Sequence, residues 1–328
     1  MKLLVCFGTR PEYIKVKSII ENIPDIKTCF TGQHKDLLKE VKADYVLDMS
    51  SMHTENRLNN IFANILPKSE IFNDVDSVMV QGDTSTALAI AISAFHHGKK
   101  IVHLEAGLRS NDLYDPFPEE MNRQVISRIA NIHLCPTDFN KQNLAKEGVT
   151  KNVYVTGNTG LDNITRSDCV YGNKVLITLH RRDNHPIMDQ WFQELSDLAE
   201  KYNNLEFIIP LHPNPDVQKH KWLLENVKII NPLSHPEMIT LMKECKFIIS
   251  DSGGLQEEAS FLNKKIIVCR RTTERPETVG THSAMCPYPE DLFDVVDSIN
   301  GDYRINAECP YGDGFAWKKV LNVLEKHD

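Results

Sequence analysis

The chain has 328 residues, which at roughly 100–200 residues per domain means two domains or one unusually large one, with a sizeable core either way. Hydrophobic residues make up 41% and charged residues 25%, near the globular average, so disorder, collagen and simple coiled coil are excluded. Asp and Glu number 45 against 37 Lys and Arg, a net charge of -8, which argues against a general nucleic-acid or anionic-membrane surface but leaves room for one local anion site.

The apolar start, Lys2 to Phe7, reads as a first strand, because it runs into Thr9, Arg10 and Pro11 without the small-residue cleavage site of a leader. No stretch approaches the roughly 18 apolar residues of a membrane span. Further strands are predicted at Ile26 to Thr31, Ser77 to Gln81, Lys100 to Leu104, Ile132 to Cys135 and Asn152 to Thr156, alternating with segments of helical period. That is the pattern of a parallel sheet joined by crossover helices. A polar, poorly patterned stretch from Thr165 to Asn173 marks a hinge. The alternation restarts with Lys174 to Leu179, Leu205 to Pro210, Val227 to Ile230, Lys246 to Ser250 and Lys265 to Cys269, with amphipathic helices at Pro186 to Lys201 and His235 to Cys245. A last helix, Gly314 to Glu325, follows the Tyr311-Gly312-Asp313-Gly314 turn. Two such α/β halves leave a cleft lined by loops at the carboxyl ends of strands, where chemistry is expected. The eight cysteines form no Cys-x-x-Cys pair, and Cys6, Cys29, Cys135, Cys245 and Cys269 sit in or beside apolar runs. They read as reduced core thiols of a cytosolic protein, which leaves the sequon at Asn163 idle.

Five residue groups stand at predicted strand ends. In Phe7-Gly8-Thr9-Arg10-Pro11-Glu12, Gly8 permits a tight turn and Pro11 suits the first helical position. Exposed amides at that helix start, with Arg10 and Lys15, suit a phosphate or diphosphate, the plainer reading being an ordinary turn with surface cations. The second and third glycines of a dinucleotide fingerprint are missing. The stretch from Asp251 to Glu258 is the better phosphate candidate: Ser252 caps a helix, Gly253 and Gly254 admit a phosphate to the backbone, and Glu258 reaches a ribose diol. The alternative is a capped helix with solvated glutamates. A third group is acidic: Asp83 and Glu105 at two strand ends, with Glu119 and Glu120 opening a helix. Convergent acids suit proton transfer on both faces of a bound ring. Against this, Asp83 serves equally as a helix cap, Glu120 as a surface first-turn acid, and Glu119 as a structural partner of Arg123. Fourth, His180, with Arg181, Arg182 and Asp183, supplies an acid, a base or an anion ligand. Fifth, Arg275 follows a strand end, a candidate to bind phosphate or to order the acids. His103, His212 and His235 read as core or cleft-edge residues, and no histidine pair has helix spacing suited to a metal.

These segments resemble the non-hydrolysing UDP-N-acetylglucosamine 2-epimerases closely. The matches are FGTRPEYIK around residues 8–15, TGQH (31–34), GDTSTALA (82–89), HLEAGLRSNDLYDPFPEEMNR (103–123), TGNTGLD (156–162), HRRD (180–183), DSGGLQEEA (251–259), TTERPE (272–277) and PYGDG (310–314), in the family's order over nearly the whole chain. The resemblance implies an α/β protein of two Rossmann-like domains facing across a cleft, of the glycosyltransferase-B type. Residues 1–165 would carry the acids, 166–308 would bind UDP, and 309–328 would cross back as a helix onto the first domain. It implies a homodimer that converts UDP-N-acetylglucosamine reversibly into UDP-N-acetylmannosamine without metal or nicotinamide, which agrees with the cytoplasmic location expected from the cysteines and with the expectation from charge and hydropathy of no nucleic-acid or membrane partner. Arg10, Lys15, Asp83, Glu105, Glu119, Arg123, His180, Ser252, Gly253, Gly254, Glu258 and Arg275 match substrate-binding or catalytic positions. Gln33, Arg181 and His212 match positions of a second, activating UDP-N-acetylglucosamine site.

The chemistry accounts for those residue types. C2 of the sugar bears no strongly acidic proton, so inversion is eased if UDP leaves C1 as C2 is deprotonated, giving a glycal. A base, a proton donor on the opposite face, and cations for the diphosphate are then needed. Asp83, Glu105 and Glu119 form the acid/base group, with their division between faces open. The chain departs from many relatives at Leu179 and Asp183, where they have Gly-His-Arg-Arg-Glu, and at His212-Pro213-Asn214-Pro215, where they have His-Leu-Asn-Pro; it is also shorter. These changes bear on the activating site. Rival readings are C2 inversion on another UDP amino sugar, a hydrolysing epimerase, a glycosyltransferase of the same fold, and a sugar-nucleotide-binding regulator.

Overall fold

The computed structural model describes residues 2–33 and 41–328, so His34 of the TGQH segment lies outside the described residues. The chain divides into unit 1, Met1–Ile164 with Gly312–Asp328, and unit 2, Thr165–Tyr311.

Unit 1 is built on a parallel sheet of β1 (Leu3–Phe7), β2 (Ile26–Phe30), β3 (Tyr45–Val46), β4 (Ser77–Gln81), β5 (Lys100–Leu104), β6 (Ile132–Cys135) and β7 (Val153–Val155), in the order β3-β2-β1-β4-β5-β6-β7. β1 and β4 are buried along their whole length, as central parallel strands covered on both faces must be. The strand order reverses between β1 and β4, so the loops after them diverge and open a crevice at their carboxyl ends. Helices α1 (Arg10–Asn22), α2 (Arg57–Ile65), α3 (Ser85–His96), α4 (Glu119–Ile129) and α5 (Asp138–Lys146) form the crossovers. The alanine-rich α3 is buried at most positions; small side chains let it lie close against the sheet.

The chain returns to unit 1 between Tyr311 and Gly312, three residues beyond the expected boundary, and Tyr311 stays buried at 1% exposure. The returning helix packs Val320, Val323 and Leu324 against Leu3, Val5 and Phe7, each such burial contributing about 1.5–3 kcal/mol. Asp162 fastens its start by accepting from the backbone N–H groups of Ala316 at 2.8 Å and Trp317 at 2.9 Å.

Unit 2 repeats the plan with β8 (Lys174–Thr178), β9 (Glu206–Pro210), β10 (Lys228–Ile230), β11 (Cys245–Ser250), β12 (Ile266–Val268) and β13 (Ser283–Met285), in the order β10-β9-β8-β11-β12-β13. Its helices are α6 (Met188–Lys201), α7 (Pro215–Gln218), α8 (His235–Glu244), α9 (Gly253–Phe261) and α10 (Leu292–Gly301), with the returning α11 (Ala316–Glu325) belonging to unit 1. Trp191, Phe192 and Leu195 of α6 fill the core over Val175, Ile177 and Phe207. The helix expected from Pro186 begins at Met188, because Pro186 falls in a 3-10 segment over Arg182–Ile187. The stretch expected as a hinge is pinned to unit 2: Val170 N–H donates to the Lys243 carbonyl at 2.9 Å, Gly172 N–H to the Glu244 carbonyl at 3.1 Å, and the buried Lys264 ammonium to the Val170 carbonyl. β3 and β13, two and three residues long, are not among the strands that the sequence predicts.

Candidate active site

In unit 1 the acids stand at the carboxyl ends of β4 and β5, which pair in register from Ser77↔Lys100 to Gln81↔Leu104. Glu105 adopts a left-handed backbone, φ 65°, a conformation costing a side-chain-bearing residue about 1–3 kcal/mol and kept where the surroundings hold it. Its carboxylate is held by Lys15 on one oxygen and by the Gln81 amide on the other. Asp83 accepts Nε and Nη2 of Arg123 on Oδ2, at 2.8 and 2.7 Å. Asp83 does not cap α3; Thr84 does, accepting from Ala87 N–H at 3.0 Å. Glu119 opens α4, half-buried.

Glu120 is not the surface acid expected. It has no exposure and accepts from Ser110 N–H at 3.0 Å, Arg123 Nη1 at 3.2 Å and Gln124 Nε2 at 3.1 Å. Arg123 thus bridges Asp83 and Glu120, and a run of Glu-Glu at a helix start gave no sign which acid points inward. His103 is buried behind this turn. Its Nε2 lies 2.8 Å from the Gly82 carbonyl, which can only accept, so Nε2 carries the proton. Burial pushes His103 down to about 3, so the ring is a neutral brace.

The start of α1 differs from expectation. Its cap amides are taken by the protein itself: Glu12, 2% exposed, accepts from Gly8 N–H at 2.9 Å, Thr9 N–H at 2.7 Å and the Thr9 hydroxyl at 2.8 Å, while the Thr84 hydroxyl reaches its other oxygen at 2.7 Å. This capping box ties the loops after β1 and β4 together. Burial nevertheless raises the Glu12 carboxyl, against the lowering effect of those bonds. What the segment offers a ligand is therefore the exposed Arg10, with Lys15 engaged by Glu105. Gln33 accepts from the Thr86 hydroxyl.

In unit 2, α9 starts with Gly253 and Gly254 after Ser252, whose side chain makes no capping bond, against the expectation. The helix start keeps its positive end and amides. Arg275, 7% exposed, lies against it: a Cβ on Gly253 would come within 2.5 Å of its Nη1. Glu257 holds Arg275 through Nε at 2.6 Å and is itself 1% exposed, so it is not a solvated glutamate. Glu258 pairs with His235 Nε2 at 2.8 Å, a partner that sequence reading left in the core or at an edge. His180 follows β8 at the strand-order reversal between β8 and β11, with Arg181 beside it. His212 stacks on His180, ring centroids 5.1 Å apart and planes 14° apart.

Unit 1 therefore gathers Arg10, Lys15, Asp83, Glu105, Glu119 and Arg123 at the carboxyl ends of its strands, and unit 2 gathers His180, Arg181, His212, Ser252, Gly253, Gly254, Glu258 and Arg275 at the ends of its own. Among the described residues, no group of three or more His, Cys, Asp or Glu is arranged to hold a metal ion, and no helix is long and apolar enough to cross a membrane.

Residues 20–325 match the family described as UDP-N-acetylglucosamine 2-epimerase. A UDP-N-acetylglucosamine 2-epimerase of Campylobacter jejuni is 38% identical, over 99% of this chain and 97% of that protein; one of Salmonella borreze is 36% identical, over 98% of each. The crystal structure of the Neisseria meningitidis UDP-GlcNAc 2-epimerase bound to UDP-GlcNAc is 35% identical, with a TM-score of 0.89 over 99% of this chain and 100% of that one. The Methanocaldococcus jannaschii enzyme in complex with UDP-GlcNAc and UDP gives a TM-score of 0.83 at 29% identity, over 99% of this chain and 100% of that one.

Proposed function

The chain belongs to the UDP-N-acetylglucosamine 2-epimerase family, and from that premise we propose that it inverts C2 of UDP-N-acetylglucosamine by eliminating and re-adding UDP, without releasing free sugar. It is an isomerase. The observation that carries the mechanism is the acid set of unit 1: two carboxylates at neighbouring strand ends, Asp83 and Glu105, each held by its own cation, Arg123 and Lys15.

A carboxylate fixed by a cation keeps its place when a substrate proton must be taken at one position. One acid removes the C2 proton as the C1–O bond to UDP breaks, the electron pair of C2–H becoming the C1–C2 double bond of the glycal. Re-addition returns a proton to C2 from the other face and UDP to C1. Glu119 is the third acid of the set, and the assignment to faces is left to the isotope test. The diphosphate is met by Arg10, by His180 and by the start of α9, where Arg275 adds charge, while Glu258 takes the ribose. Such donors stabilise the charge developing on departing UDP. Gln33, Arg181 and His212 would contact a second UDP-N-acetylglucosamine acting as activator. Cytoplasmic residence and a homodimer belong to the same reading.

Proton NMR of the protein with UDP-N-acetylglucosamine in D2O tests it. UDP-N-acetylmannosamine carrying deuterium at C2 is expected. Free sugar with UDP would overturn the non-hydrolysing reading, and exchange without a transient glycal in trapping experiments would overturn the elimination.

A further inference from the structure

Beneath His180 lies a buried carboxylate that the proposed reaction has not used. Asp251 follows β11 and has no exposure. Its Oδ2 accepts from the backbone N–H groups of His180 and Arg181, both at 2.9 Å, and from the Asn184 amide at 3.1 Å. Asn184 is fixed in turn: it donates to the Cys269 carbonyl at 3.0 Å and accepts from the Trp191 indole at 3.2 Å. The carboxylate is therefore locked between the turn after β8, the first turn of α6 and the end of β12. Its other oxygen, Oδ1, has no hydrogen-bond partner among the described residues and lies 3.5 Å from His180 Nδ1. An unmatched buried carboxylate oxygen is costly, and the imidazole facing it is a donor whenever Nδ1 carries a proton.

We infer that Asp251 is a positioning residue: it holds His180 with Nδ1 turned inward, so that when a diphosphate meets Nε2 the ring carries a proton on both nitrogens and receives the anion as a cation. The inference rests on the UDP-sugar reading above. The proton comes from solvent, and no bond to carbon is involved. The other charged and titratable groups around the ring fit this. His212, stacked on it, accepts from Asn214 N–H on Nδ1 at 3.2 Å, so its own proton sits on Nε2. Burial, then His180, lowers His212 below the ordinary histidine value, and it offers His180 a neutral face. His185 reaches the His180 carbonyl through Nε2 at 3.0 Å, steadying the main chain on the far side. Arg181 adds positive charge next in the chain, Asp216 stands on the far side, 3.6 Å from His185 Nδ1, and Asp251 is the carboxylate set 3.5 Å from the His180 ring nitrogen.

Asp251→Asn separates anchoring from orientation. The asparagine oxygen still accepts the donors now on Oδ2, so the turn survives, but the NH2 then faces Nδ1 and can only donate to it. His180 must take its proton on Nε2 alone. Calorimetric titration with UDP at about pH 8, where free histidine is neutral, in buffers of different ionisation enthalpy counts protons taken up on binding. The parent should take up close to one proton and Asp251→Asn none, with Kd for UDP raised about tenfold, since a charge-assisted bond is replaced by a neutral one. If the parent does not bind UDP, the UDP-sugar reading itself falls. If it binds and Asp251→Asn matches it in proton uptake and Kd, the inference falls alone. Should Asp251→Asn fail to fold, His180→Gln decides: lost uptake supports the inference, and undiminished uptake overturns it.

Discussion

Helix α1 of unit 1 and helix α9 of unit 2 both begin directly after a strand of a Rossmann-like sheet, yet their first turns are finished in opposite ways. At α1 the protein's own anion, Glu12, takes the amides of Gly8 and Thr9 at the cap, the Glu12 amide goes to the Thr9 hydroxyl, and Pro11 has no donor to offer. At α9 two glycines replace the proline, the capping side chain is not engaged, and an arginine rather than a glutamate leans on the turn. The first arrangement is a brace and the second a receptor for negative charge. A strand followed by a short Gly-containing turn is therefore insufficient to mark a phosphate site. What decides is whether a carboxylate three residues into the helix is folded back onto the cap. The same division runs through the units: unit 1 pairs its acids internally with Arg123 and Lys15, whereas unit 2 gathers donors.

The comparison is tested hardest where unit 1 is assigned chemistry alone. Asp83→Asn should lower C2 proton exchange by about a thousandfold, the scale of a lost general acid or base, while UDP affinity, assigned to Arg10 and the donors of unit 2, changes by less than about twofold. Weakened UDP binding of the same size would show that the division is false. Next comes the brace. Glu12→Ala leaves two buried amides unmatched and should cost about 3 kcal/mol in urea unfolding, with no separate effect on UDP affinity once the folded fraction is allowed for.

Glu120→Gln keeps an acceptor for Ser110 N–H but removes the charge under Arg123. Asp83 should lose its fixed position, with kcat falling roughly 30-fold and KM nearly unchanged, as a misplacement near 1 Å would produce. In unit 2, Gly253→Ala sets a methyl against the Arg275 guanidinium, whose Nη1 lies 2.5 Å from the new Cβ. UDP binding should weaken about tenfold with C2 chemistry on bound substrate little changed.

Most of this fold is legible because buried parallel strands announce themselves: LLVCF, SVMVQ and KVLIT are apolar runs bounded by turns, and the structure makes each a strand. Two of the four described edge strands are not, since Tyr45–Val46 and Ser283–Met285 owe their pairing to a neighbour. For the site, residue type and strand-end position suffice to nominate Asp83, Glu105, His180 and the Gly253-Gly254 turn. Partnership is what stays hidden. Nothing in the Glu-Glu pair itself distinguishes Glu119 from Glu120, one half-buried and one fully enclosed, because the difference is made by Ser110 and Asn111 folding back from the loop that leads into α4. Likewise the sequence assigns Glu12 no partner, and Thr84, from the loop after β4, closes over it.

The smallest effect probes the brace through its charge. Burial raises the Glu12 carboxyl above its ordinary 4.5, so ionising it costs more in the folded protein than in the unfolded chain. Its contribution to stability is then full below 4.5 and is lost as pH rises through the raised value. Glu12→Gln carries no such loss. Its oxygen can accept from Gly8 and Thr9 while its NH2 donates to the Thr84 hydroxyl, the same pattern that a protonated Glu12 would make. Parent and variant should therefore be nearly equal in stability at about pH 4, and the variant should gain on the parent toward about pH 7, by less than the alanine variant loses. Urea midpoints measured across that range check the sign. A variant that instead loses ground as pH rises would mean the ionised carboxylate is favoured there, making the start of α1 a site that wants its negative charge rather than one that tolerates it.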